Sequence, residues 1–164
     1  MATTDEMAAV VLVGIGATLV MDLWTTLLKA LGVSTLNYAL VGRWAGHLRR
    51  GRLAHASIRK ATPIHGELLL GWTIHYGVGI AFAAVLIGLY GTGWLHSPTW
   101  GAALAVGVAT VVFPLFVMQP AMGAGIAGSR TPTPFKNCLR SLATHAIFGC
   151  GLYLSAALLE RIWT

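Results

Sequence analysis

Long apolar stretches dominate the chain, and four of them are long enough to cross a membrane as helices. A membrane-spanning helix needs about 20 mostly apolar residues. The four stretches cover about residues 7–31, 67–90, 99–124 and 139–159. None alternates polar and apolar positions as a membrane β-strand does. Because backbone groups in lipid must be hydrogen-bonded internally, the pattern predicts an all-α protein, an integral membrane bundle of four transmembrane helices.

The segment of about residues 32–66 joins the first two spans and is long for a connection without structure of its own. Its stretch Leu36–Leu48 mixes apolar and aromatic residues with Arg43 and His47, a composition typical of a helix at the membrane interface. We therefore expect an interfacial helix between spans one and two. The sequence contains no clear repeat and no low-complexity tract, which favours a single transmembrane domain over residues 1–164.

Composition and charge strengthen the membrane interpretation and predict an orientation. The chain is 56% hydrophobic and 10% charged, whereas soluble domains are about 25% charged. Ten of the eleven Lys and Arg residues lie at the end of span one, between spans one and two, or between spans three and four. By the positive-inside rule that side is cytoplasmic, with both termini outside. The net charge of +6 is then a topology signal and no indication of nucleic-acid binding, and Arg130 is a candidate contact for an anionic lipid head group.

Prolines and glycines predict local departures from straight, widely spaced helices. Pro114 and Pro120 predict a kinked or broken second half of span three. This feature is either a cavity wall near Met118–Gly125 or a simple proline kink. The many glycines of the spans predict close helix contacts, within the bundle or between subunits of a homo-oligomer.

Ionisable residues inside spans are costly and therefore suggest function. Asp22 lies in span one, Glu67 and His75 lie in span two, and His145 lies in span four. We expect Asp22, His75 and His145 to converge in a ligand- or metal-binding site with Glu67 and His65 at its entrance. The predicted cavity wall consists of Met118, Gln119, Met122, Trp24 and Trp72. The alternative is a purely structural polar network.

The nature of the ligand stays open at this point. Imidazole and carboxylate groups suit zinc, iron or manganese, and thioethers suit Cu(I), so a transition metal is one candidate. Two histidines on facing helices would also suit haem, although nothing defines a haem-sized pocket. Cofactors are therefore unknown.

Several segments resemble a known group of sequences. They are GIGATLVMDLW (14–24), LNYALVGRWAGH (36–47), HGELLLGWTIHYGVGIAFA (65–83) and VMQPAMGAGIAGSRTPTP (117–134), together with the region around His145. With them, nearly the whole chain resembles an uncharacterised bacterial family of four-span inner-membrane proteins, a domain of unknown function. The resemblance implies a location in the bacterial inner membrane and carries no activity.

Three functions are consistent with these patterns. The first is binding of a small ligand or metal ion at a cytoplasm-facing polar site, with transport as one use of that site. The second is an enzyme acting on a lipid or quinone, with His75 or His145 as general base. The third is a structural or assembly partner in which the polar groups hold helices together.

Overall fold

The computed structural model describes residues 4–163, and the regular elements in that range are all helices, with no strand there. The longer helices are α1 (Thr4–Ala30), α2 (Tyr38–Leu48), α3 (Glu67–Tyr90), α5 (Trp100–Ala109) and α7 (Pro134–Trp163). Two short helices are α4 (Gly93–His96) and α6 (Gln119–Ala121). A π-helical segment covers Phe113–Met118, and single 3₁₀ turns cover Ile58–Lys60 and Ile126–Gly128.

Four helical stretches are long and apolar enough to cross a membrane, which confirms the predicted fold class. They are Thr4–Ala30, Glu67–Tyr90, Trp100–Ala121 and Pro134–Ile162. The chain is therefore a multi-pass membrane protein. Helix α2 lies between the first two spans, where the sequence predicted a helix.

The third span is interrupted where its prolines lie. Regular α-helix ends at Ala109, and π-helical turns follow from Phe113 to Met118 with Pro114 near their start. Proline lacks the amide hydrogen that a regular helix would use, so wider turns at this position are physically reasonable. After α6 the chain turns at Gly123, whose φ of 92° is rarely adopted by other residues.

The chain divides into two compact units, and each is described by itself. Unit 1 comprises residues up to Ser34, Tyr76–Thr110 and the chain from Ala143 onward. Unit 2 comprises Thr35–His75 and Val111–Leu142. The expectation of one transmembrane domain stays a prediction.

Small residues let the helix backbones of unit 1 approach closely. A Cβ added at Gly14 would lie 2.5 Å from the Cα of Ile80, and one added at Gly107 would lie 2.6 Å from the backbone nitrogen of Gly149. The same crowding occurs between Gly151 and Ala17. These contacts surround a core of alanine, valine and leucine side chains. The close contacts expected from the glycines are therefore present inside this unit.

Unit 2 is organised around α2 and the first turns of α3. The side chain of Asn37 caps α2 by accepting a hydrogen bond from the Ala39 amide. Gly42 and Gly71 lie where α2 and α3 touch, because a Cβ at either glycine would collide with backbone of the other helix. The loop after α2 then folds onto the end of the third span. Its His55 amide donates to the Ala121 carbonyl (2.8 Å) and its Ile58 amide to the Met122 carbonyl (3.0 Å).

Candidate functional site

The predicted site residues are distributed over both units. Unit 1 holds Asp22, Trp24 and His145. Unit 2 holds Glu67, His65, His75, Trp72, Met118, Gln119, Met122 and Arg130. Within residues 4–163 no three His, Cys, Asp or Glu side chains gather as metal ligands would. The convergence of Asp22, His75 and His145 stays a prediction.

In unit 1, the aspartate of the first span accepts a hydrogen bond from a tyrosine of the second. The Tyr76 hydroxyl donates to Asp22 Oδ2 at 3.0 Å, and the Asp22 side chain is half-buried. The threonine hydroxyls on the same helix bond to its own backbone: Thr18 donates to the Gly14 carbonyl and Thr25 to the Asp22 carbonyl. The hydroxyls of Thr18 and Thr25 are thus satisfied within α1 itself.

His145 is also hydrogen-bonded inside unit 1. The Thr110 hydroxyl donates its only proton to the Gly107 carbonyl (2.6 Å). It must therefore accept at its 2.7 Å contact with His145, which assigns the proton to His145 Nδ1. This arrangement ties α7 to the end of α5 and needs no ligand.

An aromatic cluster in unit 2 contains the histidine of the second span. The Tyr38 hydroxyl lies 3.0 Å from His75 Nε2, and the two rings pack at an angle of 31° with centroids 4.3 Å apart. Trp72 packs against Tyr38 with centroids 4.4 Å apart. His75 and Trp72, both predicted site residues, are thus brought together by a tyrosine that the sequence analysis did not select.

The glutamate at the start of α3 forms a two-point ion pair with Arg43 of α2. Arg43 Nε donates to Glu67 Oε2 (2.9 Å) and Nη2 to Oε1 (2.7 Å), with side chains 12% and 18% exposed. The remaining nitrogen, Nη1, lies 3.1–3.4 Å from the carbonyls of Ile58, Arg59 and Ala61. Hydrogen bonding to Glu67 raises the pKa of Arg43 above its ordinary value, against the effect of burial.

The sequence predicts Glu67 at the entrance of a ligand site, which stays a prediction; in the structure its carboxylate pairs with Arg43. Its charge is neutralised, and its Oε2 also accepts from the Ile64 amide. The sequence contained a signal for this pairing. Glu67 is the only acid between Asp22 and Glu160, and Arg43 is the only Lys or Arg inside the helix predicted at Leu36–Leu48. His65 beside it is exposed.

Two further histidines, His47 and His55, contact each other in unit 2. His47 Nδ1 lies 3.2 Å from His55 Nε2, and His47 Nε2 lies 2.9 Å from the Thr62 carbonyl. His47 is 2% exposed. Burial lowers the pKa of His55 below its ordinary value, with further lowering by the charges of His47 and Arg52, while a backbone contact to Ala121 acts in the opposite direction. From the sequence both histidines are interpreted as interfacial, with structural or solvated roles, and neither is selected as a site residue.

Two predicted wall residues carry buried polar atoms with no partner among the residues described. They are Trp24 Nε1 in unit 1 and Gln119 Oε1 in unit 2. Buried polar atoms are normally hydrogen-bonded.

A groove of about 300 Å³ lies in unit 1, away from the predicted site residues. It is lined by Glu6, Met7, Val10, Ala84, Ile87 and Thr92.

Unit 2 carries most of the positive charge of the protein. Besides the paired Arg43, its Lys and Arg residues are all exposed and form what we call the basic set: Arg49, Arg50, Arg52, Arg59, Lys60, Arg130, Lys136 and Arg140. Large apolar side chains lie beside them in the chain, with Leu53 70% and Phe135 80% exposed. Glu67 is the only carboxylate of this unit.

The four spans and these paired polar groups define a multi-pass helical membrane protein with a strongly basic unit. The chain belongs to a family described as a protein of unknown function, DUF2938, whose model matches residues 11–159. This membership confirms the resemblance to an uncharacterised family. No curated protein and no solved structure matches the chain.

Proposed function

We propose that this protein binds anionic amphiphiles of the membrane, such as acidic phospholipids, through unit 2. The observation that carries the proposal is the charge distribution. Unit 2 contains nine of the eleven Lys and Arg residues, and its one carboxylate is neutralised by Arg43. The eight exposed cations of the basic set therefore have no internal counter-charge in their own unit.

Exposed cations at a membrane surface attract acidic head groups by about 1 kcal/mol for each Lys or Arg. The first turns of α7 place both kinds of group that an amphiphile needs on one short stretch. Lys136 and Arg140 are one turn apart, and so are the exposed Phe135 and Leu139. A phosphate can contact the cations while an acyl chain lies along the apolar side chains.

The proposed orientation of the protein in the membrane follows from the same charges. We propose that unit 2 lies at the cytoplasmic leaflet of a bacterial inner membrane, because cytoplasmic segments are enriched in Lys and Arg. Arg130, the head-group contact expected from the sequence, is a member of the basic set. Transport of the bound molecule is a further use of such a site and stays a prediction.

The intramembrane pairs of unit 1 favour a structural role for part of the predicted site. Tyr76 with Asp22 and Thr110 with His145 each join two helices by a hydrogen bond. Such interhelical bonds contribute about 0.6 kcal/mol on average in one membrane bundle. We therefore propose that Asp22 and His145 hold helices together. For His75, which packs against Tyr38, the alternative of catalysis on a lipid or quinone stays a prediction.

A paired set of variants tests lipid binding by unit 2. In Lys136→Gln/Arg140→Gln, the selectivity for spin-labelled phosphatidylglycerol over phosphatidylcholine, measured by electron paramagnetic resonance, should fall by about fivefold for each charge removed, as about 1 kcal/mol implies. High salt should weaken the wild-type selectivity, since exposed charges are screened. Lys29→Gln/Arg161→Gln removes two charges from unit 1 and should change the selectivity little. Equal losses in both double variants would contradict the proposal.

A further inference from the structure

The contact between His47 and His55 has a fixed assignment of protons. A backbone carbonyl only accepts hydrogen bonds, so the proton of neutral His47 is on Nε2, facing Thr62. His47 Nδ1 is then a lone pair and accepts from His55 Nε2–H. In neutral His55 the other nitrogen, Nδ1, is consequently an acceptor, and it is buried without a partner among the side chains and backbone described.

An additional proton has no favourable place in this arrangement. On His47 Nδ1 it would oppose the proton of His55 Nε2 across 3.2 Å. On His55 Nδ1 it would place a charge on a half-buried ring whose backbone contact, the Ala121 carbonyl, already accepts the His55 amide, and burying a charge is costly. Either position also adds positive charge close to Arg52. An additional proton therefore binds the closed pair weakly, and acid favours a conformation in which the two rings separate.

The position of His55 determines what such a separation would release. The amides of His55 and Ile58 donate the hydrogen bonds that hold the loop against Ala121 and Met122. Gly123 packs closely on the backbone of His55 and Ala56. The same loop carries five members of the basic set, Arg49, Arg50, Arg52, Arg59 and Lys60.

The geometry points to a pH-sensitive latch, in which the His47–His55 pair closes the basic loop onto residues 121–123 at neutral pH and releases it in acid. The inference deepens the proposed function by adding regulation of the basic set, but the latch itself needs no lipid. It is a conformational device built from two side chains of unit 2.

The charged groups around the pair are few, which simplifies the expected pH response. The positive charges of His47 and Arg52 disfavour a proton on His55. The charge of Glu67 interacts with His47 but is neutralised by Arg43. Residues 111–129, which include the segment packed against the loop, contain no Asp, Glu, Lys, Arg, His, Cys or Tyr. His55 is thus the group expected to control the transition.

The sign of the pH dependence follows from the lowered pKa of His55. The open loop binds more protons than the closed one, because an exposed histidine has a pKa of about 6.5. The closed state is therefore fully favoured above about pH 6.5 and loses stability as the pH falls below that value. Each unit of pKa difference corresponds to a tenfold change in the closing equilibrium.

Hydrogen exchange of the full-length protein in detergent, without added lipid, tests the latch. After correction for intrinsic rates, the protection of the His55 and Ile58 amides should fall about tenfold or more between about pH 7.5 and about pH 5. Amides of the unit 1 core around Leu86 should keep their protection. If the His55 and Ile58 amides kept theirs as well, the latch would be excluded.

Two substitutions distinguish the latch from general acid sensitivity. Arg52→Gln removes a charge that opposes protonation of the closed pair, so the protonated closed state is less unfavourable and the midpoint of loop opening should move to lower pH. Arg50→Gln should leave the midpoint nearly in place. His55→Gln keeps an N–H donor but cannot titrate, so it should abolish the transition, while the exposed His96→Gln should retain it. An unchanged midpoint in Arg52→Gln would overturn the assignment to His55 even if His55→Gln failed to fold. Because no lipid is present, failure here is separate from failure of lipid binding.

Discussion

Replacing Gly107 by alanine should lower the free energy of unfolding by about 1–3 kcal/mol, the range for overpacked cores. The added methyl group would lie 2.6 Å from the Gly149 nitrogen and 2.9 Å from the His145 carbonyl oxygen. Both atoms belong to the backbone of α7, so no flexible side chain can move aside. The two helices must separate, and the Thr110–His145 hydrogen bond next to this contact should weaken as well.

The same helix offers a matched control for this prediction. Gly101→Ala adds the same methyl group to α5 at a position with nothing within 4 Å. Alanine is also the better helix former, so this variant should be neutral or slightly more stable. The measurement is the midpoint of thermal unfolding in one detergent, followed by circular dichroism. Equal midpoints for Gly107→Ala and Gly101→Ala would show that α5 and α7 do not pack as described.

Substituting Arg43 by glutamine should cost about 2 kcal/mol, somewhat less than the 3–5 kcal/mol known for fully buried pairs, because its side chain is 12% exposed. The variant leaves Glu67 without its two guanidinium donors and removes the donor to three loop carbonyls. Arg43→Lys should recover only part of the loss, since an ammonium group cannot form the planar two-point contact. The exposed Arg49→Gln should have little effect on stability.

Thermal unfolding and limited proteolysis of residues 49–63 measure this effect together. Cleavage in that loop should increase in Arg43→Gln. Removing both charges, in Arg43→Gln combined with Glu67→Gln, should be less harmful than the sum of the single changes, because no unpaired charge remains. An Arg43→Gln protein as stable and protease-resistant as Arg49→Gln would rule out the ion pair as the anchor of the loop.

The spans could be predicted because lipid imposes length and hydrophobicity on them. The second span illustrates this: glycines with positive φ, Gly66 and Gly91, lie immediately outside its predicted and observed ends. The fourth span begins at Pro134 although the apolar stretch begins near 139. Hydropathy detects the part of a helix that lipid requires, whereas the helix itself continues through Lys136 and starts at a proline, which is well tolerated in a first turn.

The side-chain pairs could not be predicted to the same degree, because they depend on helix rotation and on a loop that folds back. Apolar residues surround most of each span, so hydropathy does not specify which face of α3 meets α2. Only Gly42 and Gly71, where the backbones touch, determine that Tyr38 reaches His75 and Arg43 reaches Glu67. His47 and His55 are eight residues apart with a turn between them, and no helical spacing indicates their contact.

Lipid retention measured by native mass spectrometry tests the central proposal most directly. The protein is purified in mild detergent with equal amounts of phosphatidylglycerol and phosphatidylcholine and then released from the micelle by collisions. We expect phosphatidylglycerol to remain bound preferentially in the wild type and in Lys29→Gln/Arg161→Gln, and the preference to fall by about fivefold for each charge removed in Lys136→Gln/Arg140→Gln. Equal retention of both lipids by the wild type would contradict the account.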